Sequence, residues 1–458
     1  MSAPHPFQVL VIGQGGREHA LVRALKFSPS LGAGLKPASH SGSLIGRPTP
    51  SQNAHYQINH HVHALPGSAG MATDCVCHDD LNWEKFDQVL ELVLRQEISL
   101  VVIGPELPLA AGLSDFLRDA GVQVFAPSQA AARLESSKIF AKEFMIEAKV
   151  PTARSFTVST VEQTASVCGA FAPPYVLKAD GLAAGKGVFI CKTVEELLSA
   201  ARSIFDDHSL GEAGKSALLE EFSPGFEISY LVITNGEKFE SLVLAQDHKR
   251  LLNGDEGPNT GGMGVVAPMH LEPELKERVD REVIQPVISH LKTRGLLYRG
   301  VLYFGLMMTP EGPSVLEFNT RFGDPETQVI LPLLDGDWAE VFSAVARGEV
   351  PKLKWKKGAS ACVVLAAEGY PEDPKKGVSI AGDLGAAQAN EKSYFLHAGT
   401  SHDANRGWLT AGGRVLNSVG LGQDLHEALS NAYARAERAV WPGRQMRTDI
   451  GANAQSQN

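Results

Sequence analysis

At 458 residues, 43 % of them apolar and 21 % charged, the chain exceeds what one hydrophobic core supports and is expected to fold as two to four domains. Its apolar runs are too short to span a bilayer, and a net charge of −10 disfavours a surface built to neutralise a nucleic-acid backbone. The opening MSAPHPFQVLVIG lacks the basic-then-apolar pattern of an export signal, and five cysteines at scattered positions do not form a disulfide framework, so a cytoplasmic address with reduced thiols is expected.

In chain order, residues 8–12 (QVLVI) read as a strand ending in the glycine turn GQGG, and residues 17–26 have helical spacing. A helix over 83–96 feeding a strand over 99–103, then a strand over 122–125, extend this pattern to a Rossmann-like α/β domain over residues 1–134. Residues 28–63 interrupt it with Ser, Gly and Pro, and are expected to be a partly disordered loop insertion. Its histidines His60, His61 and His63 read as a solvated segment or as metal ligands without carboxylate or Cys partners, and Cys75, Cys77 and His78 make a similarly incomplete metal pattern. A central α+β domain is expected over 135–355, with a small subdomain over 152–222 built from strands at 175–179, 188–191 and 217–222 and a helix at 194–204. Strands over 226–233 and 239–245, a helix over 273–293 and a hairpin of 301–308 with 314–318 complete it. The last domain, 356–458, is β-rich, with strands at 359–366, 394–398 and 413–417 and a closing helix over 425–440.

Three stretches carry chemistry. In KADGLAAGKG, residues 178–187, glycines let backbone N–H groups approach phosphate oxygens and Lys186 adds charge. This reads as a phosphate-covering flap or, alternatively, as an exposed hairpin tip; no Gly-Lys-Ser/Thr opens a helix, so it is not a Walker A loop. Glu220, Glu221 and Phe222 precede a Ser-Pro-Gly turn and Glu227, a linker able to present backbone groups to an adenine edge and a carboxylate to ribose, unless these groups are merely solvated. In EFNTRFGDPE, Glu317 and Asn319 are two apart on a strand and share a face, offering the oxygen ligands that Mg²⁺ prefers, with Arg321 nearby. A half-buried polar strand edge is the alternative.

In combination these pieces resemble the ATP-grasp superfamily. The runs VIGQGGREHAL, PGSAG, VIGPELPL, LESSKIFAK, LKADGLAAGKGV, EEFSPGFEIS, QDHKRL, GPNTGGMG, EFNTRFGDPETQ, HAGT and GGRVL resemble the glycinamide ribonucleotide synthetase family within it, over nearly the whole chain. The resemblance implies a Rossmann-like amino-terminal domain, an ATP-grasp fold and a β-rich carboxy-terminal domain. It also implies ATP-driven ligation of glycine to 5-phosphoribosylamine through glycyl phosphate, in de novo purine synthesis. ATP would be co-substrate with Mg²⁺ or Mn²⁺, the partners small molecules, and the chain a monomer or weak homo-oligomer.

By the same resemblance, Lys138 and Lys178 meet the nucleotide phosphates, and Asp180, Gly181, Gly185, Lys186 and Gly187 belong to the flap. Glu220, Glu221 and Phe222 lie along adenine, Glu227 on ribose, and Glu317 and Asn319 on the metal. Arg321, Lys249 and Asp324 border glycine and its acyl phosphate as the catalytic group, beside Asn259, Thr260, Gly261 and Gly262. Gly15, Gly16, Gly67 and Gly70 help to form the phosphoribosylamine site. Glu18 stands where a dinucleotide fingerprint needs its third glycine, which disfavours NAD. Two departures stand out: the insertion before PGSAG, and Gly305 at the place where many ATP-grasp enzymes carry a further metal carboxylate. The competing readings are another ATP-grasp carboxylate-amine ligase and a nucleotide sensor without turnover, the latter opposed by the presence of Lys138, Lys178, Glu317 and Asn319.

Overall fold

The run QVLVIG forms β1 (Gln8–Gly13), and its near-continuous apolar character suits a strand covered on both faces, with Val9 to Ile12 all buried. The computed structural model describes residues 7–33, 59–183, 187–385 and 391–452. With β2 (Asn59–Pro66), β3 (Cys75–Cys77), β4 (Ile98–Ile103) and β5 (Val124–Phe125), β1 builds a parallel sheet of order β3-β2-β1-β4-β5. The order reverses beside β1, so the glycine turn after it lies at the carboxyl-end crevice where such sheets take ligands. Gly13 has φ +125°, and a Cβ there would run into the Glu18 side chain. The helix Gly16–Lys26 starts at this turn, and Gly15 N–H donates to Glu18 Oε2 at 2.7 Å.

The expected loop insertion is shorter at both ends than 28–63. A helix occupies Pro29–Ala33, and β2 begins at Asn59, pairing Val62 with Val9 and Leu65 with Ile12. Histidines disguised this strand. His63 is buried, with Nδ1 and the His78 Nε2 3.0 Å apart and Nε2 3.2 Å from Gln8 Oε1, so polar rings satisfy one another inside the sheet. The remaining insertion residues, 34–58, lie outside the described residues.

The small module is an antiparallel sheet of β6 (Ser155–Val158), β7 (Tyr175–Ala179), β8 (Val188–Cys191) and β9 (Ala217–Glu221), ordered β6-β9-β7-β8. The helix Val194–Phe205 packs on it through Leu197, Ala201 and Ile204. The chain continues through β10 (Phe226–Thr234), β11 (Phe239–Ser241), β12 (Gln246–Asp247), the ribbon of β13 (Arg250–Leu252) and β14 (Glu256–Asn259), β15 (Gly264–Ala267), β16 (Gly300–Thr309) and β17 (Gly312–Asn319). Four of these form an antiparallel sheet of order β11-β10-β16-β17. The expected long helix is present as Pro273–Val279 and Gln285–Thr293 joined by a π turn at Asp280–Ile284.

After these come β18 (Ala359–Ala366), β19 (Ser393–His397), the ribbon of β20 (Thr400–Asp403) and β21 (Gly407–Thr410), β22 (Arg414–Gly422) and the helix Leu425–Ala436. Their sheet has the order β12-β15-β18-β22-β19, so two of its strands come from more than ninety residues earlier in the chain. One apolar core joins the amino-terminal sheet, the central sheet and the carboxy-terminal sheet, from Val9 and Leu21 through Ile233 and Val265 to Phe342 and Val364, while the small module has a core of its own around Leu177, Leu197 and Leu219.

Candidate active site

A cleft of about 430 Å³ opens between the small module and the β10–β16–β17 sheet. β17 supplies its floor. Glu317 and Asn319 face the same side, as their spacing predicts, with Gly305 and Tyr303 opposite them on β16. Burial acts to raise the Glu317 pKa, but Lys249, Lys178 and Lys138 together hold the carboxyl below its ordinary value. Asn319 Oδ1 accepts from Arg321 Nη2 at 3.1 Å.

The lysines arrive from three elements. Lys138 is the first residue of the helix Lys138–Glu147, which Ser137 caps; its Nζ lies 3.5 Å from Gly181 O, and burial pushes its pKa down. Lys178, near the end of β7, donates to Glu220 Oε2 at 2.7 Å and to Leu316 O at 3.0 Å. Lys249 donates to Glu227 Oε1 at 2.6 Å; burial opposes its charge, yet Glu227 and Glu317 keep its pKa well above the ordinary lysine value.

Arginine and carboxylate pairs form the other wall. Arg321 meets Glu135 Oε1 at 2.8 Å and Glu106 Oε2 at 3.5 Å. Arg414 reaches in from β22, donating to Gly261 O at 2.6 Å and Asp324 O at 2.7 Å, with Nη2 3.1 Å from Asp324 Oδ2. Burial raises the Asp324 pKa, while Arg414 and Arg17 outweigh it and keep the group ionised. The loop after β14 is fastened to this wall: Thr260 Oγ1 donates to Lys249 O at 2.9 Å and Gly261 N to Tyr370 OH at 3.0 Å. Gly262 has φ +108°, and a Cβ on it would meet Pro325 at 2.5 Å.

The residues named from sequence thus divide. Lys138, Lys178, Gly187, Glu220, Lys249, Thr260, Gly261, Glu317, Asn319, Arg321 and Asp324 line the one cleft. Asp180, expected in the flap, is also tied to a helix: its Oδ1 accepts from Ser137 Oγ at 3.0 Å and Ile139 N at 2.8 Å, closing the amino end of the helix that carries Lys138. Glu221 pairs with Arg154 at 2.8 Å on the surface, Phe222 is exposed, and Glu227 is engaged by Lys249. Glu220 is not solvated, its carboxylate being buried between two lysines.

Gly181, Asn259 and Gly262 stand just outside the lining. Gly15 and Gly16 sit at the start of the first helix, where a Cβ on Gly16 would collide with Asn417, while Gly67 and Gly70 press on Cys77 and His397. Gly185 and Lys186 lie outside the described residues.

Sequence reasoning missed Lys142, Glu135, Arg17, Glu106 and Arg414, all of which line the cleft. Lys142 left a signal, being four residues after Lys138 and hence on the same helix face. Arg414 left none, since only the fold brings GGRVL to the loop at 260.

Comparison with known proteins matches the chain, in order, to the N domain of phosphoribosylglycinamide synthetase over residues 51–135, its ATP-grasp (A) domain over 136–327 and its C domain over 360–453. The chain belongs to the phosphoribosylglycinamide synthetase family. It is 43 % identical to the phosphoribosylamine–glycine ligase of Nostoc sp. over 455 residues, covering 98 % of this chain and 100 % of that protein. It is 41 % identical to the trifunctional purine biosynthetic protein adenosine-3 of Drosophila melanogaster, covering 98 % of this chain and 32 % of the longer protein. Among solved structures, phosphoribosylamine–glycine ligase from Thermotoga maritima superposes with a TM-score of 0.79 at 32 % identity, covering 97 % of this synthetase-family chain and all of that one. The biotin carboxylase domain of Hydrogenobacter thermophilus 2-oxoglutarate carboxylase, solved with MgADP and bicarbonate, shares the ATP-grasp fold at TM-score 0.70 and 16 % identity, over 96 % of this chain and 92 % of that one.

Proposed function

We infer that the chain is an ATP-dependent ligase joining glycine to 5-phosphoribosylamine, giving phosphoribosylglycinamide, ADP and phosphate, a step of purine synthesis. The observation that carries this reading is one cleft in which Lys138, Lys178, Lys249 and Arg321 converge on the Glu317–Asn319 oxygen pair, in a chain that aligns end to end with such ligases.

A carboxylate is a poor electrophile. Transfer of the ATP γ-phosphoryl group to the glycine carboxylate gives glycyl phosphate and ADP; the sugar amine then attacks the carbonyl carbon and phosphate leaves. Such chemistry asks the protein for positioning and charge neutralisation. Lys138 and Lys178 are assigned to the nucleotide phosphates, under the flap of residues 180–187. The backbone of residues 220–222 would meet adenine. Glu227 would have to share its carboxylate between Lys249 and ribose. Arg321 and Lys249 are assigned to the negative charge that develops on the acyl phosphate. Asp324, kept ionised by Arg414, is assigned to accept from the amine. The glycines at 15, 16, 67 and 70 are assigned to the phosphoribosylamine side, at the switch point of the parallel sheet.

The donor set fits a hard divalent cation: one carboxylate kept ionised by lysines and one amide oxygen, with phosphate and water oxygens left to complete an octahedron. Glu317 and Asn319 would hold Mg²⁺, or Mn²⁺, which would neutralise phosphate charge during transfer. The proposed partners are small molecules, the assembly a monomer or weak homo-oligomer, and the address cytoplasmic. Among the described residues, no helix is long and apolar enough to cross a membrane.

The deciding experiment follows ADP release by purified protein with Mg-ATP, glycine and freshly generated phosphoribosylamine, omitting each in turn. ADP that needs all three supports the reading. ADP formed without glycine or without the amine would overturn it in favour of another ATP-grasp ligase.

A further inference from the structure

Lys142 takes no part in the reading above, yet it is the most tightly held of the cleft lysines. It is 4 % exposed, and its ammonium donates to Glu220 Oε1 at 2.9 Å, Thr152 Oγ1 at 2.7 Å and Ala153 O at 3.0 Å. A lysine has three donors, so none is left for a ligand. Lys178 differs. Among the described residues it meets only Glu220 Oε2 and Leu316 O, which leaves one of its three donors for the cleft that it lines.

Glu220 joins the two. It is 3 % exposed, and its carboxylate needs a cation at that depth. A nucleotide phosphate that recruits Lys178 takes one of its two cations away. We propose that Lys142 is a positioning residue that neutralises Glu220 in place, so that Lys178 can turn from Glu220 to the nucleotide phosphates. This rests on the assignment of the cleft to ATP. Without Lys142, departure of Lys178 would strand a buried carboxylate, so Lys178 would stay locked to Glu220 and the nucleotide would bind poorly. Neutralising Glu220 as well removes the lock.

A lock and a plain structural support respond in opposite ways to a second substitution. Losing two buried partners ought to harm a scaffold more than losing one, whereas a lock is opened by the second loss. Lys142→Met, Lys142→Arg, Thr152→Ala and the double variant Lys142→Met/Glu220→Gln are compared with wild type in full-length form, with folding checked by circular dichroism and thermal melts. The readout is the KM for ATP and kcat in ADP release with glycine and phosphoribosylamine.

Lys142→Met is expected to raise KM for ATP about tenfold while kcat changes less than about threefold, and the double variant to recover at least about threefold of the KM. Lys142→Arg is expected to recover most of it, because it keeps the charge. A KM within about twofold of wild type in Lys142→Met, or a double variant no better than the single one, overturns the proposal. If Lys142→Met does not fold, Thr152→Ala decides: loosening one anchor of Lys142 is expected to raise KM for ATP about threefold, and an unchanged KM overturns the proposal. Wild-type protein that releases no substrate-dependent ADP would instead count against the ligase assignment itself.

Discussion

Glu317 and Asn319 differ in what their loss removes. Glu317 anchors the field of three lysines, whereas Asn319 offers a neutral oxygen that Arg321 steadies from 3.1 Å. Asn319→Ala is therefore expected to raise the Mg²⁺ concentration giving half-maximal rate by about tenfold with the fold intact, checked by magnesium titration at saturating ATP; an unchanged requirement would remove Asn319 from the ligand set. At this scale much of the site was legible before any coordinates. Lys178 and Arg321 lie in short charged strings, and the spacing of Glu317 and Asn319 on β17 already forces those two to one face. The helix cap that Asp180 provides was not readable, because its partner is the amino end of a helix some forty residues earlier, a relation that no local string contains. Arg414 and Glu135 were invisible for the same reason.

Strand β19 ends in His397, where a pH effect is expected. The ring is fully enclosed, with Nδ1 2.9 Å from Thr400 Oγ1 and Nε2 3.1 Å from Leu384 O, while its backbone N–H donates to His19 Nδ1 at 2.9 Å and His19 Nε2 lies 2.9 Å from Asp74 Oδ2. Burial, helped by His19, pushes the His397 pKa down to about 4. The folded state thus refuses a proton that the unfolded chain accepts at about 6.5. Stability from this group is complete above that value and is lost as pH falls from about 6.5 towards 4, by about 3 kcal/mol at most. Asp74, lowered to about 2, adds its own loss only below its ordinary value of 3.8.

Melting temperature is accordingly expected to fall between pH 7 and pH 4.5, and less so in His397→Gln; parallel curves for the two proteins would exclude the ring as the cause. The Gly70 loop packs on the same ring, so acid should loosen that loop as well. Element prediction was most reliable where apolar periodicity was clean, as in β1 and the helix Val194–Phe205. It failed at β2, expected as part of a loop insertion, because its histidines mask the apolar pattern and His63 finds its partners in His78 and Gln8.

Across the whole molecule, the carboxy-terminal sheet contributes to the wall of the cleft. It completes itself with β12 and β15, and through β22 it sends Arg414 to clamp Gly261 and Asp324. Arg414→Ala leaves the half-buried Asp324 carboxylate without its main partner and is expected to cost about 3 kcal/mol in kcat/KM, roughly a hundredfold, with little rescue by lysine, whose compact ammonium lacks the planar fork of the guanidinium. Steady-state kinetics beside a thermal melt checks this, and a wild-type kcat/KM would show that the carboxy-terminal sheet only supports the fold. That long-range sharing of strands was not readable from sequence, because register between distant segments leaves no periodic trace.

Opposite Glu317 on β16 stands Gly305, where a Cβ would lie 3.1 Å from the Glu317 Cγ. The hairpin of β16 and β17 therefore offers one carboxylate and one amide oxygen, too few donors to strip a magnesium ion of its water unaided. On the proposed reading such a protein is expected to act as a receptor for a chelate. Turnover is expected to track the concentration of the magnesium–nucleotide complex when free ion is varied independently, and magnesium chloride titrated alone into the protein is expected to give no calorimetric isotherm. Ion and nucleotide would then arrive as one reagent.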